Sequence, residues 1–171
     1  MSAEDPGGSP LWEIPFSDAF EDDTGTYPFG TLSKTASHVT TLPSTTDAAL
    51  ALSSTAAESI FVDLGCGVGR VANRARETTD CTTLGIDMCK NEISQAVSAA
   101  AGNGAAYVVG DVFDSQRIIE ELPGFDKGKW RQVVVFTFLI PTLMNSPKFQ
   151  ALLEGFMEKG AVVVSYVPAS R

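Results

Sequence analysis

Positive charge is what this sequence is shortest of: 12 Lys and Arg stand against 21 Asp and Glu, and there is one histidine. The deficit is local. Residues 1–59 carry nine acids and a single base, Lys34, while residues 60–171 carry twelve acids and eleven bases. A protein built on phosphate contacts needs a basic face, so nucleic acid is not the expected main partner. Cysteine is also scarce. Cys66, Cys81 and Cys89 are odd in number and lack metal-ligand spacing, which argues against a disulfide scaffold or a metal site and for a reducing compartment. No apolar run approaches the roughly 20 residues of a membrane-spanning helix. The N-terminus is neither basic nor apolar, so no signal or transit peptide is read and a cytoplasmic or nuclear location is expected. The lone His38 lies among Thr, Ser, Gly and Pro and reads as a surface or satisfied core residue.

What is present describes a globular chain. With 171 residues, 44% hydrophobic and 19% charged, it is long enough for one domain with a substantial core. Residues 1–41 form an acidic leading segment of largely irregular composition. Within it, the cluster Leu11–Phe16 is too proline-bound for a central strand but could dock against the domain. Residues 42–171 alternate between two periodicities. Helices are expected over Ser44–Ala57 (capped by Thr45 or Thr46), from Val68, over Lys90–Ala101, Ser115–Leu122 and 146–157. Strands are expected over Ile60–Asp63, Thr82–Asp87, Ala105–Asp111, Gln132–Phe138 and Ala161–Val167. That order predicts an α/β fold with a doubly wound, mainly parallel sheet.

The centre of this pattern is Ile60-Phe61-Val62-Asp63-Leu64-Gly65-Cys66-Gly67-Val68-Gly69-Arg70. A short apolar strand ends in an aspartate and a turn with three alternating glycines, and a helix follows. Such a loop turns tightly and lets a cofactor approach the backbone. A dinucleotide loop would want its third glycine where Arg70 stands, so a nicotinamide oxidoreductase is disfavoured. The reading D-x-G-x-G-x-G instead resembles the first motif of the class I S-adenosylmethionine (SAM)-dependent methyltransferases. That resemblance implies a Rossmann-like fold, SAM as cofactor, and contacts from Asp63, Gly65, Cys66, Gly67 and Gly69. Cys66 reads as a small filler of the loop, without a nucleophile's Pro-Cys context.

Acids recur at the strand ends. Asp87 lies 18 residues after Gly69, where a carboxylate can accept from both ribose hydroxyls, and Met88 follows it. Asp111 ends the third strand, and the resemblance assigns it to the adenine amino group with Val112 and Phe113 along the ring. Ligands of such sheets lie beyond the carboxyl ends of the strands, where the strand order reverses. After the fourth strand, Phe136 is expected near the cofactor, and Thr137, Tyr166 or Tyr27 are candidates beside the transferred methyl. No general base is evident, and no [DN]-P-P-[YFW] motif of adenine or glutamine amino-methylating enzymes follows that strand.

Leu42-Pro43-Ser44-Thr45, the glycine motif, and Val134–Pro141 followed by Gly160–Ser165 resemble the small protein-lysine methyltransferases of the ATP synthase c subunit and adenine nucleotide translocase type. The similarity runs over about residues 42–167. It implies a protein lysine acceptor, on a basic protein if the acidic leading segment recruits it. The alternatives are a small-molecule acceptor and an inactive SAM-fold subunit. The family's membrane-targeting segment is not found. With Arg171 following so soon on the fifth strand, the sixth and seventh strands of that fold are expected to be lacking. Residues 161–167 would then be an edge able to pair with a second copy or a partner subunit.

Overall fold

The computed structural model describes residues 13–15, 35–37, 41–121 and 132–166. The elements are β1 (Glu13–Pro15), β2 (Thr35–Ser37), α1 (Pro43–Leu52), β3 (Ser59–Leu64), α2 (Arg70–Thr79), β4 (Thr82–Asp87), α3 (Lys90–Ala99), β5 (Ala106–Val109), α4 (Ser115–Glu121), β6 (Gln132–Thr137), α5 (Pro141–Met144), α6 (Pro147–Glu158) and β7 (Val162–Ser165). A 3-10 turn, Val112–Asp114, precedes α4. The strands β5-β4-β3-β6-β7 make one five-stranded sheet, parallel at every pairing. This is the expected α/β, Rossmann-like architecture. Its strand order reverses between β3 and β6. Glu13–Pro15 pairs antiparallel with Thr35–Ser37 as a separate two-stranded sheet, in keeping with a proline-bound cluster that is not a central strand. Tyr27 and His38 lie outside the described residues.

Alternation along the central strands sorts side chains onto two faces. Ile60, Val62 and Leu64 join Leu84, Ile86 and Val135 beneath Phe149 and Phe156 of α6. Phe61, Val134 and Phe136 face the other way, onto Ala49 and Leu50 of α1 and Val71 and Ala75 of α2. Asp63 is two residues from Phe61 and therefore on the α2 face, and it is 3% exposed. That placement makes it part of the site described below.

Several boundaries differ from the sequence reading: β5 ends at Val109, two residues short of Asp111, β7 is confined to Val162–Ser165, and α3 ends at Ala99. Helix α1 ends at Leu52 and not near residue 57, because Ser53 turns its hydroxyl back to the Ala49 carbonyl (2.7 Å) and Ser54 adopts φ 52°. Leu52 is consequently 82% exposed. Neither Thr45 nor Thr46 caps the helix. Leu42 occupies the N-cap position, Pro43 begins the helix, and Thr46 is buried with its hydroxyl 3.5 Å from the Leu42 carbonyl. Helix α2 begins at Arg70 and not at Val68, since Gly69 at φ 81° is left-handed. At the other end of the sheet β7 pairs with β6 alone among the described residues, leaving its outer edge without a strand neighbour there.

Candidate functional site: the glycine loop and the acids at the strand ends

Asp87 is the joint of the site. Its Oδ2 accepts from the Gly67 N–H at 2.9 Å, its Oδ1 from the Cys89 N–H at 2.9 Å, and its backbone carbonyl from the Gly110 N–H at 2.9 Å. One residue therefore ties together the loops leaving β3, β4 and β5. The glycine loop is hung on β4 a second time, with the Gly65 and Cys66 N–H groups both on the Ile86 carbonyl, at 2.8 and 3.2 Å. Each carboxylate oxygen of Asp87 keeps acceptor capacity beyond the bond it makes, so it can still receive ligand hydroxyls.

The loop needs its glycines for different reasons. Gly65, Gly67 and Gly69 have φ of 78°, 50° and 81°, where side chains are strained. A Cβ on Gly65 would run into Leu139, and one on Gly69 would stand 2.5 Å from the Tyr107 hydroxyl. A Cβ on Gly67 would stand 3.2 Å from Oε2 of Glu92. Gly67 thus faces a carboxylate, and a substituent there would meet Glu92 before it met a ligand. Tyr107 holds the turn from β5, its one hydroxyl proton shared between the Gly69 carbonyl (3.0 Å) and the Asn73 Oδ1 (2.9 Å).

Asp63 supplies the unusual electrostatics. The Ala72 N–H in the first turn of α2 favours its charged form, but burial and then the neighbouring Asp87 charge outweigh this and push its pKa up to about 8. Its Oδ2 is buried and has no hydrogen-bond partner. Glu92, in the first turn of α3 and 2% exposed, is raised to about 7 by burial and then by Asp87. All three carboxylates act on the Cys66 thiol, which burial above all holds protonated. Cys66 is thus a buried filler and no thiolate nucleophile. Among the described residues no group of acids, histidines and cysteines is arranged to hold a metal ion.

The remaining candidates are placed as follows. Asp111 caps the 3-10 turn, its Oδ1 accepting from the Phe113 N–H at 2.9 Å. Val112 is buried in the α6-side core. Phe113 meets Phe149 edge-on at 6.1 Å and lies under the Lys148 ammonium, 4.0 Å from its ring centre. Met88 is half-buried just beyond Asp87. Phe136 is in the core, stacked on Phe61 at 6.0 Å, and presents no open face to the strand ends. Thr137 is fully buried, its hydroxyl 3.5 Å from the Leu64 carbonyl and 3.9 Å from the Met144 sulfur. Beyond it, at the ends of β6 and β7, Phe138 and Tyr166 form an edge-to-face pair at 5.0 Å, with Tyr166 exposed. The glycine loop and Asp87 thus form one unit, and the Thr137 hydroxyl lies on the carbonyl of Leu64, the residue that precedes that loop.

Sequence reasoning missed Glu92 and Tyr107, and each left a trace. Cys89, Glu92, Ile93, Ala96 and Ala100 follow helical spacing on one buried face, so Glu92 is a charge on an apolar stripe. Gly85 stands directly across from Tyr107, and a glycine inside a strand marks a close approach. A Cβ on Gly85 would come within 2.7 Å of both the Tyr107 ring and the Cys66 sulfur.

The acceptor-rich set suits a ligand bringing hydroxyl donors and positive charge. A pyrophosphate would meet three carboxylates around the loop, which disfavours a dinucleotide. Comparison with known proteins agrees. Residues 62–123 match the family described as a methyltransferase domain. An RNA methyltransferase from Salinibacter ruber in complex with S-adenosyl-L-homocysteine is similar in structure, with TM-score 0.53 and 24% identity over 74% of this chain and 76% of that one. A dimethyladenosine transferase from Plasmodium falciparum is similar with TM-score 0.50 and 19% identity over 68% of this chain. This chain spans 38% of that second structure. Both likenesses concern the fold. No curated protein sequence matches the chain.

Proposed function

Proceeding from the methyltransferase domain at residues 62–123, we propose that this protein transfers the methyl group of SAM to a protein lysine amine. The observation that carries the cofactor half is the Asp87 joint, with Gly67 bound to its carboxylate and a buried, unpartnered Asp63 oxygen close by. When bound, SAM supplies a methyl group on a positively charged sulfur, already activated for attack. Asp87 would take the ribose hydroxyls while it keeps the loop in place. Asp63 and the bare backbone of Gly65 and Gly67 would receive the amino-acid portion, and Asp111, Val112 and Phe113 would border the adenine.

The acceptor half rests on three supports. The resemblance to protein-lysine methyltransferases covers about residues 42–167. The chain's net charge of −9 favours encounter with a basic protein. Phe138 and Tyr166 form an aromatic corner beside the strand ends, suited to the stem of an amine-bearing side chain. An apolar corner also favours the neutral, nucleophilic form of the amine over its ammonium. Residues 1–41 would serve as a recruiting segment and residues 42–171 as the catalytic unit. Water exclusion and alignment of the amine with the methyl group are then the main tasks of the protein.

Labelled SAM incubated with the purified chain and fractionated cell extract tests this reading. The expected label is protein-bound, lost on protease treatment, stable to nuclease, and recovered as methyllysine after hydrolysis. Nuclease-released label would instead assign a nucleic-acid acceptor, as the name of the Salinibacter ruber protein suggests for that protein. Label confined to small molecules would move the acceptor class. SAM binding without transfer to any fraction would make the chain a binding subunit.

A further inference from the structure

Glu92 is a charge where packing asks for none. It shares a helix face with Cys89, Ile93, Ala96 and Ala100, all buried, and is 2% exposed itself. An apolar side chain would fill this place without desolvating a carboxylate. The carboxylate is nonetheless aimed at the glycine loop, with Oε2 3.2 Å from where a Gly67 Cβ would stand. Gly67 is also the residue whose N–H is held by Asp87. Asp63, whose buried Oδ2 has no hydrogen-bond partner, completes a ring of three acids around Cys66. Three carboxylates around one loop, two of them buried, repel one another when charged, and a cation between them relieves that repulsion.

We propose that Glu92 is a further cofactor-site residue, which sets the preference for the positively charged cofactor over its uncharged thioether product. This rests on the SAM reading of the site. SAM and S-adenosylhomocysteine share adenine, ribose, ammonium and carboxylate, and differ in the methyl group and in the sulfonium charge that disappears on transfer. A carboxylate acting on that charge holds the substrate form and weakens its hold once the methyl group has left. Product release is thereby built into the electrostatics of the loop.

Among the described residues, the titratable groups around Glu92 include Asp87 from the end of β4, Cys66 from the glycine loop and Cys89 from the start of α3, with Asp63 of β3 across Cys66. Burial keeps both thiols protonated, and after burial the Asp87 charge is what raises the Glu92 carboxyl. Burial and Asp87 place the Glu92 carboxyl at about 7, so in the ligand-free protein it exchanges a proton with solvent around neutrality. The charged form serves a cationic ligand. The preference for SAM over S-adenosylhomocysteine should therefore rise with pH through neutrality, while Asp63, at about 8 and facing the amino-acid portion common to both, moves the two affinities together.

Calorimetric titration of the full chain with each compound tests this, using wild type and Glu92→Gln about one unit below and one unit above pH 7. Wild type should prefer SAM over S-adenosylhomocysteine more strongly at the higher pH. Glu92→Gln should there weaken SAM about tenfold and S-adenosylhomocysteine less than about twofold, and lose the pH dependence of the ratio. Glu92→Asp should keep part of the preference. Glu92→Gln weakening both compounds equally, as for a structural or ammonium-binding role, would overturn the proposal. An unchanged ratio would do the same. A Glu92→Gln chain that still binds S-adenosylhomocysteine has kept its fold, which separates a charge effect from unfolding. Wild type binding neither compound would overturn the SAM reading, and the proposal with it.

Discussion

The two halves of the sheet end in opposite kinds of chemistry. Strands β3, β4 and β5 run out into Asp63, Asp87 and Asp111, with three left-handed glycines and the buried Glu92 between them. Strands β6 and β7 run out into Thr137-Phe138-Leu139-Ile140 and Ser165-Tyr166, and residues 132–146 contain no carboxylate or amine. One half holds charge that its own packing does not require. The other is apolar, satisfied and aromatic. A methyltransferase has use for both, because its cofactor is a cation and its nucleophile must be neutral. On the proposed function the first half would be the cofactor side and the second the acceptor side, and substitutions can probe each without the other.

The largest expected effect is in the loop itself. Gly69→Ala would place a Cβ 2.5 Å from the Tyr107 hydroxyl at φ 81°, costing roughly 2–4 kcal/mol of stability in denaturant unfolding. In a Tyr107→Ala background the clash disappears and the backbone strain stays, so the additional cost should fall to about 1–2 kcal/mol. Equal costs in both backgrounds would remove Tyr107 from the account.

Next is Asp87→Ala, which removes the proposed ribose acceptor and the hold on Gly67 and Cys89. SAM affinity should drop about 10- to 150-fold, or roughly 1.5–3 kcal/mol, by calorimetry. Thr137→Val, at the corresponding end of β6, should leave that affinity within about twofold, because among the described residues its hydroxyl meets only Leu64 and Met144. Comparable losses in both variants would break the contrast between the halves.

Asp63→Asn should gain stability while losing binding. The folded carboxyl titrates at about 8, against roughly 4 in the unfolded chain. The folded state therefore holds the extra proton in between. Stability linked to that proton is complete below about pH 4 and is lost as pH rises through about 8. Asn removes this dependence. The ligand-free variant should be the more stable protein above pH 8, by about 1–3 kcal/mol, in unfolding curves taken across pH. Parallel pH profiles for wild type and variant would contradict the raised value.

The smallest effects belong to the acceptor side. Tyr166→Ala opens the aromatic pair with Phe138 and should raise the acceptor KM several-fold, worth about 0.5–1.5 kcal/mol, with the Kd for SAM unmoved. Added salt should likewise raise the KM for a basic protein acceptor more than that for SAM. Equal salt sensitivity would mean the acidic segment takes no part in recruitment.

Periodicity and punctuation alone determined much of this protein. A continuous apolar run followed by alternating glycines can hardly be anything but a buried strand turning into a helix, which is why β3, its loop and β4 lie where their residues predict. The place of Asp87 at a strand end was legible for the same reason, since it follows from local pattern. Local pattern could not say which of two faces a strand residue takes against its neighbours. Phe136 and Thr137 lie beside the strand ends in sequence, yet pairing with β3 sends one onto Phe61 and the other onto Leu64 and Met144. Nor could it bring Tyr107 against Gly69, 38 residues away, or Glu92 against Gly67. Those approaches exist because β4 lies between β3 and β5, so that the loop after one strand meets the helix after the next. Burial, and with it the charge state of Asp63 and Glu92, is a property of that arrangement. A carboxylate feels water or its absence only once the rest of the chain has closed around it.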